Sequence, residues 1–128
     1  MKNLIVDATR DKIFLTLILS ENIYTCSHEN SKINFEKLMI LINDFLKVSF
    51  SSLDQIDVIY VNRGPGSFAG IRNSLATIKA LFLTKKINYY CFSFNDFAGI
   101  EDIKYEDVPS LCDKFKIKKN LINPIYLS

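Results

Sequence analysis

Hydrophobic and polar positions fall into short strand-like runs and two longer helical stretches. Leu4–Asp7 and Ile13–Leu19 are apolar runs parted by the polar Thr9-Arg10-Asp11-Lys12, a hairpin signal. Ile23–Cys26 offers a third strand after the short turn Ser20-Glu21-Asn22. From Asn34 to Ser49 the period lengthens to that of a helix, with Asn34 placed as its N-cap. A strand follows over 57–62, a helix over 71–86 and a strand over Tyr89–Ser93. The predicted order is β-β-β-α-β-α-β: three antiparallel strands, then two α-crossovers.

Both helices are apolar on more than one side. In the first, Leu38, Met39, Ile42, Phe45 and Leu46 form a stripe that Phe35, Leu41 and Val48 widen. In the second, Ile71, Leu75, Ile78, Leu81 and Phe82 form one stripe, and Ala76, Ala80 and Leu83 add another face. One sheet covers only one side of a helix, so the second side asks for a partner. Phe35, Leu41, Phe45, Ala76, Ala80 and Leu83 are the candidate interface residues. The plainer reading is a generous core with a few exposed apolar side chains.

Composition narrows the class. The 128 residues, nearly half of them apolar, suffice for one domain with a real core. A net charge of +2 does not by itself argue for nucleic acid. No apolar run nears the roughly 20 residues of a membrane span. Met1-Lys2-Asn3 leads straight into a strand, which is no signal peptide. Cys26, Cys91 and Cys112 are widely spaced and never C-x-x-C, so they read as reduced thiols in a cytoplasmic protein, without a zinc site.

Catalytic groups are scarce. The single histidine, His28, lies in a polar stretch read as an exposed loop. Ser67 has no histidine near it in sequence and no G-x-S-x-G around it. Asp7 ends the first strand and reads as a turn cap. Lys114-Phe115-Lys116-Ile117-Lys118-Lys119 is a basic run with aromatic interleaving, ordinarily a solvated face but chemically able to meet phosphates.

Three of the four glycines sit in Val61-Asn62-Arg63-Gly64-Pro65-Gly66-Ser67-Phe68-Ala69-Gly70-Ile71-Arg72, between a strand and a helix. The run lacks the Lys-Ser/Thr close of a P-loop. It has one residue too many for G-x-G-x-x-G. Two readings stay open: an anion site on free helix N–H groups, or a tight turn that lets the helix pack close. The wording of the loop resembles the G-R-G-P-G-S-F-T-G-L-R signature of the TsaB (YeaZ) family. Arg63, Gly64, Pro65, Gly66, Ser67, Phe68, Gly70 and Arg72 match it; Ala69 replaces Thr and Ile71 replaces Leu. Ser74-Leu75-Ala76-Thr77-Ile78-Lys79-Ala80-Leu81 is similar to the family's G-L-A-T-A-K-G-L. The opening Leu4–Thr9 is similar to its I-D-T-S, and Pro124-Ile125-Tyr126-Leu127-Ser128 to its terminal P-x-Y-L-R. The likeness holds over residues 1–97 and is absent over 98–120.

The resemblance implies an α/β chain with a single RNase H-like half of the actin/Hsp70-type (ASKHA) fold over residues 1–97, its second half lost or reduced. Residues 98–128 are then expected to be a short connector and a C-terminal segment that packs back. It implies a non-catalytic subunit that binds the related TsaD-type transferase through its first two helices, or a second copy of itself as a homodimer. That transferase, with a TsaE-type ATPase, modifies tRNA to threonylcarbamoyladenosine. ATP and metal belong to the partner subunits, this chain has no cofactor of its own, and it meets tRNA at most indirectly. The alternative is a small actin-like nucleotide-dependent enzyme or a peptidase-like hydrolase. The lone His28 and the missing half speak against it.

Overall fold

A computed structural model describes residues 1–126. Five strands form one mixed sheet: β1 (Asn3–Asp7), β2 (Lys12–Ile18), β3 (Ile23–Glu29), β4 (Val58–Asn62) and β5 (Asn88–Phe92). Their order is β3-β2-β1-β4-β5. The first three pair antiparallel, and β1–β4 and β4–β5 pair parallel. The predicted element order and sheet type are those observed.

Helices α1 (Lys32–Glu36), α2 (Leu38–Val48) and α3 (Phe68–Lys85) join these strands. The predicted helix over 34–49 starts two residues earlier. Its N-cap is Ser31, whose hydroxyl accepts from the Asn34 amide at 3.3 Å. Asn34 is not the cap, because its own side chain donates to the Glu29 carbonyl at 2.6 Å. Lys37 interrupts the helix for one residue. The ladder nevertheless runs through it, since Lys37 N donates to Ile33 O and Leu41 N to Lys37 O. α3 begins at Phe68 rather than 71 because Ser67 caps it, its Oγ accepting from Gly70 N at 3.2 Å.

The strands alternate between two cores. Leu4, Val6, Leu15, Leu17, Ile59, Val61, Tyr89 and Cys91 face α2 and α3, against Ile42, Leu46, Leu75 and Ile78. Ile5, Tyr60 and Phe92 face the other way, against Phe97, Val108, Leu111 and Cys112. Burial on both faces is why β1 and β4 read as unbroken apolar runs.

The second layer was not foreseen. In place of the expected connector over 98–120, a one-turn helix at Tyr105–Asp107 runs into α4 (Val108–Lys114), which packs on the sheet. The basic run begins on its last residue, Lys114, and continues beyond it, with all four lysines exposed. Of the tail, Ile122 packs on the larger core, and Ile125 N donates to Arg63 O at 2.7 Å. Leu127 lies outside the described residues.

Candidate functional site

The signature loop joins β4 to α3, and protein backbone fills it. Gly64 has φ +113°, and a Cβ on it would overlap the Ile125 carbonyl oxygen. Gly66 lacks a positive φ. It is needed because a Cβ there would overlap Thr9 of the β1–β2 turn, whose carbonyl also accepts from Ser67 N at 2.8 Å. Gly64 N donates to Asn62 Oδ1 at 3.0 Å, and the Gly64–Pro65 bond is cis. Arg63 forks onto Asp96, with Nη2–Oδ1 at 2.6 Å and Nε–Oδ2 at 3.3 Å, and its Nη1 donates to Asn123 O at 3.0 Å. This arginine therefore ties β4, the turn after β5 and the tail together. Gly70 is buried, while Pro65, Phe68 and Arg72 are exposed. Phe68 packs on Tyr126, ring centroids 4.7 Å apart. Only a small cleft of about 160 Å³ remains beside the loop, between Thr9, Asn62, Gly64, Ser93 and Asn95.

Asp7 stands at the adjacent strand end, 1% exposed. Its Oδ1 accepts from Thr9 N at 3.0 Å and Thr9 Oγ1 at 2.7 Å, the turn cap read from the sequence. Its Oδ2 accepts from Asn62 Nδ2 at 3.1 Å and from the Tyr105 hydroxyl at 2.6 Å. Burial, and then the Asp7 carboxylate, push the Tyr105 phenol well above its ordinary range. Arg10 donates to Tyr105 at 3.3 Å, and that contact raises its own pKa. Four protein donors thus occupy both oxygens of this carboxylate. Among the described residues no group of three or more His, Cys, Asp or Glu is placed to hold a metal ion.

His28 is not in a loop. It lies on edge strand β3, half-buried, with Nε2 3.7 Å from Cys26 Sγ. The two share a shallow apolar cleft with Leu41, Phe45 and Val48.

The six candidate interface residues divide. Ala76, Ala80 and Leu83 lie exposed on one side of α3, Leu83 at 58%. Phe35 and Leu41 are half-buried against the larger core. Phe45 is a correction: at 4% exposure it is a core residue, because α2 turns it inward with Ile42 and Leu46. Ile33 of α1 and Ile40 of α2 are exposed in the same helical layer. Neither was singled out from the sequence, since neither lies on a stripe.

A family model described as TsaD, tRNA N6-adenosine threonylcarbamoyltransferase, matches residues 28–93, just over half of the chain. The chain belongs to this family. It is 35% identical over 65 residues to the tRNA threonylcarbamoyladenosine biosynthesis protein TsaB of Buchnera aphidicola, a match covering 44% of this chain and 29% of that protein. YeaZ from Pseudomonas aeruginosa superposes with a TM-score of 0.66 at 20% identity, over 72% of this chain and 43% of that one. RuvC of Thermus thermophilus superposes with a TM-score of 0.53 at 11% identity, over 92% of this chain and 82% of that one. These two likenesses establish the RNase H-like fold. The chain spans under half the length of its TsaB and YeaZ relatives.

Proposed function

We propose that the chain is a non-catalytic, cytoplasmic partner subunit in threonylcarbamoyladenosine modification of tRNA. It docks its α1–α3 layer on a TsaD-type transferase that works with a TsaE-type ATPase. The observation that carries this reading is the open face of α3. Ala76, Ala80 and Leu83 recur there at helical spacing, with Ile33 and Ile40 exposed in the same layer. Small side chains at Ala76 and Ala80 let a second helix approach closely, and the larger apolar groups supply area to bury. A homodimer through this face is the form the chain takes without its partner. The saturated Asp7 and the backbone-filled glycine loop support a subunit with no nucleotide or metal of its own at that strand end, leaving both to the partners.

The test is co-purification of the chain with the TsaD homologue of its own cell, followed by tRNA modification assays with and without the chain. Failure to co-purify, with modification unchanged when the chain is left out, would overturn the reading.

A further inference from the structure

The sheet face away from α1–α3 holds a cleft of about 500 Å³ between β1, β4, β5 and α4, within the range of small-molecule sites. It lies toward the first residues of the parallel strands, the opposite end from Asp7 and the glycine loop. Three features converge on it. Tyr60 and Tyr90 are direct partners on β4 and β5, so their rings stack, with centroids 5.3 Å apart and planes 11° from parallel. Tyr60 is buried, but Tyr90 is only half-buried and borders the cleft. Asn3 also lines the cleft. It is 9% exposed, and its carboxamide oxygen has no hydrogen-bond partner. A buried amide oxygen without a partner is destabilising unless a donor reaches it. Finally, Asp113 and Lys116 stand exposed on the rim, and Lys119 bridges to the Tyr90 backbone from the neighbouring strand position. Among the described residues neither lysine forms an ion pair.

We propose that this cleft is a nucleotide site, in which a heteroaromatic ring lies against Tyr90 and its phosphate meets Lys116 and Lys119. Aromatic faces and cations side by side are how bases and phosphates are bound together without sequence preference. The Asn3 oxygen and the Asp113 carboxylate are acceptors, so the ring they favour carries an amino group. Lysines alone would take any anion, and tyrosines alone any apolar ring; the pairing selects a ring that bears a phosphate. The ligand is a free nucleotide or the end of an RNA chain. The cleft is on the other face from the docking layer, so it stands or falls apart from the partner reading.

The isotope-labelled chain should be titrated with AMP, inorganic phosphate and a short single-stranded RNA while NMR follows Asn3, Tyr60 and Tyr90. AMP is expected to shift these signals with a Kd of about 1 mM or tighter. Asn3→Leu should keep or raise thermal stability yet weaken AMP about tenfold, because it deletes the acceptor. Tyr90→Leu should weaken AMP by a similar factor, and Lys116→Gln should weaken AMP and phosphate alike. RNA bound more tightly than AMP, with the same Asn3 dependence, assigns the site to an RNA end; equal affinities assign it to free nucleotide. AMP bound no more tightly than phosphate overturns the proposal. So does AMP affinity left unchanged in whichever of the Asn3 and Tyr90 variants folds.

Discussion

Tyr105 donates its phenolic hydrogen to Asp7 Oδ2 at 2.6 Å across 98 residues of sequence. The contact pins the segment before α4 to the end of β1, and Phe14 packs on the same tyrosine with ring centroids 6.0 Å apart. Tyr105→Phe keeps the ring and removes the donor. It should cost about 1–3 kcal/mol, the penalty of a buried acceptor losing a partner. Chemical denaturation of the two proteins measures it. A variant as stable as the parent would show that water or another donor replaces the hydroxyl.

Buried thiols and a buried phenol in the two cores set a pH dependence. Burial pushes the Cys91 thiol up to about 11 and, aided by Asp96, the Cys112 thiol up to about 12, from an ordinary 9.0. Burial, then Cys112 and Tyr90, push the Tyr60 phenol up to about 12 from 10.0. Above about pH 9 the unfolded chain gives up these protons first, while the native chain keeps them. Stability from these groups is therefore full below that pH and falls as pH rises toward 12. The melting temperature should drop between about pH 8 and pH 10.5, and Cys112→Ala should lessen the drop. A melting temperature that rises over this interval would show that the native thiols and phenol ionise first.

The glycine loop makes a conformational prediction. Gly64→Ala places a Cβ at φ +113° against the Ile125 carbonyl. It should destabilise by about 1–3 kcal/mol and loosen the tail. Gly66→Val should disrupt the seating of the β1–β2 turn through overlap with Thr9. Hydrogen exchange of the Ser67 and Ile125 amides reads both effects. Exchange unchanged in both variants would mean the loop tolerates side chains.

The tail is held by hydrogen bonds and by the half-buried Ile122 and Ile125 together. Tyr126 is 40% exposed, whereas Ile122 packs on the core and Arg63 holds both Asn123 O and Ile125 N. Removing residues 121–128 should cost about 3–5 kcal/mol, from the two half-buried side chains Ile122 and Ile125 and two hydrogen bonds. An unchanged melting curve would show that the tail contributes nothing.

What the residues disclosed in advance was whatever is periodic or worded in a local run. The five strands, the crossover helices and the Asp7 turn cap all rest on patterns within a dozen residues. The second layer does not. α4 has seven residues with Pro109 in its first turn, too short and too polar on its flanks to show an apolar stripe. Its partners Ile5, Tyr60 and Phe92 are the alternate positions of strands that read as buried on both sides without saying against what. Phe45 lies on the same apolar stripe as Leu38, Ile42 and Leu46, and that stripe is the face α2 turns into the core, which excludes Phe45 from the interface set. The Tyr105–Asp7 contact has no local signal at all.

The interface prediction rests on Ala76, exposed on α3 between Arg72 and Ala80. Its side chain touches solvent in the isolated chain, so Ala76→Arg should leave circular dichroism and melting temperature nearly unchanged. In an assembly built on this face, the same arginine would be buried without a partner, at a cost of several kcal/mol. At about 1.4 kcal/mol per tenfold, binding to the TsaD-type subunit should weaken by at least about a hundredfold. Threonylcarbamoyladenosine in the tRNA of cells carrying the variant should fall in step. Leu83→Ser supplies a gentler control, removing apolar area without adding charge, and should weaken binding less. Wild-type affinity in both variants would place the interface elsewhere on the chain. Unfolding by Ala76→Arg would instead show that the alanine packs in the monomer, leaving Leu83→Ser to report on docking alone.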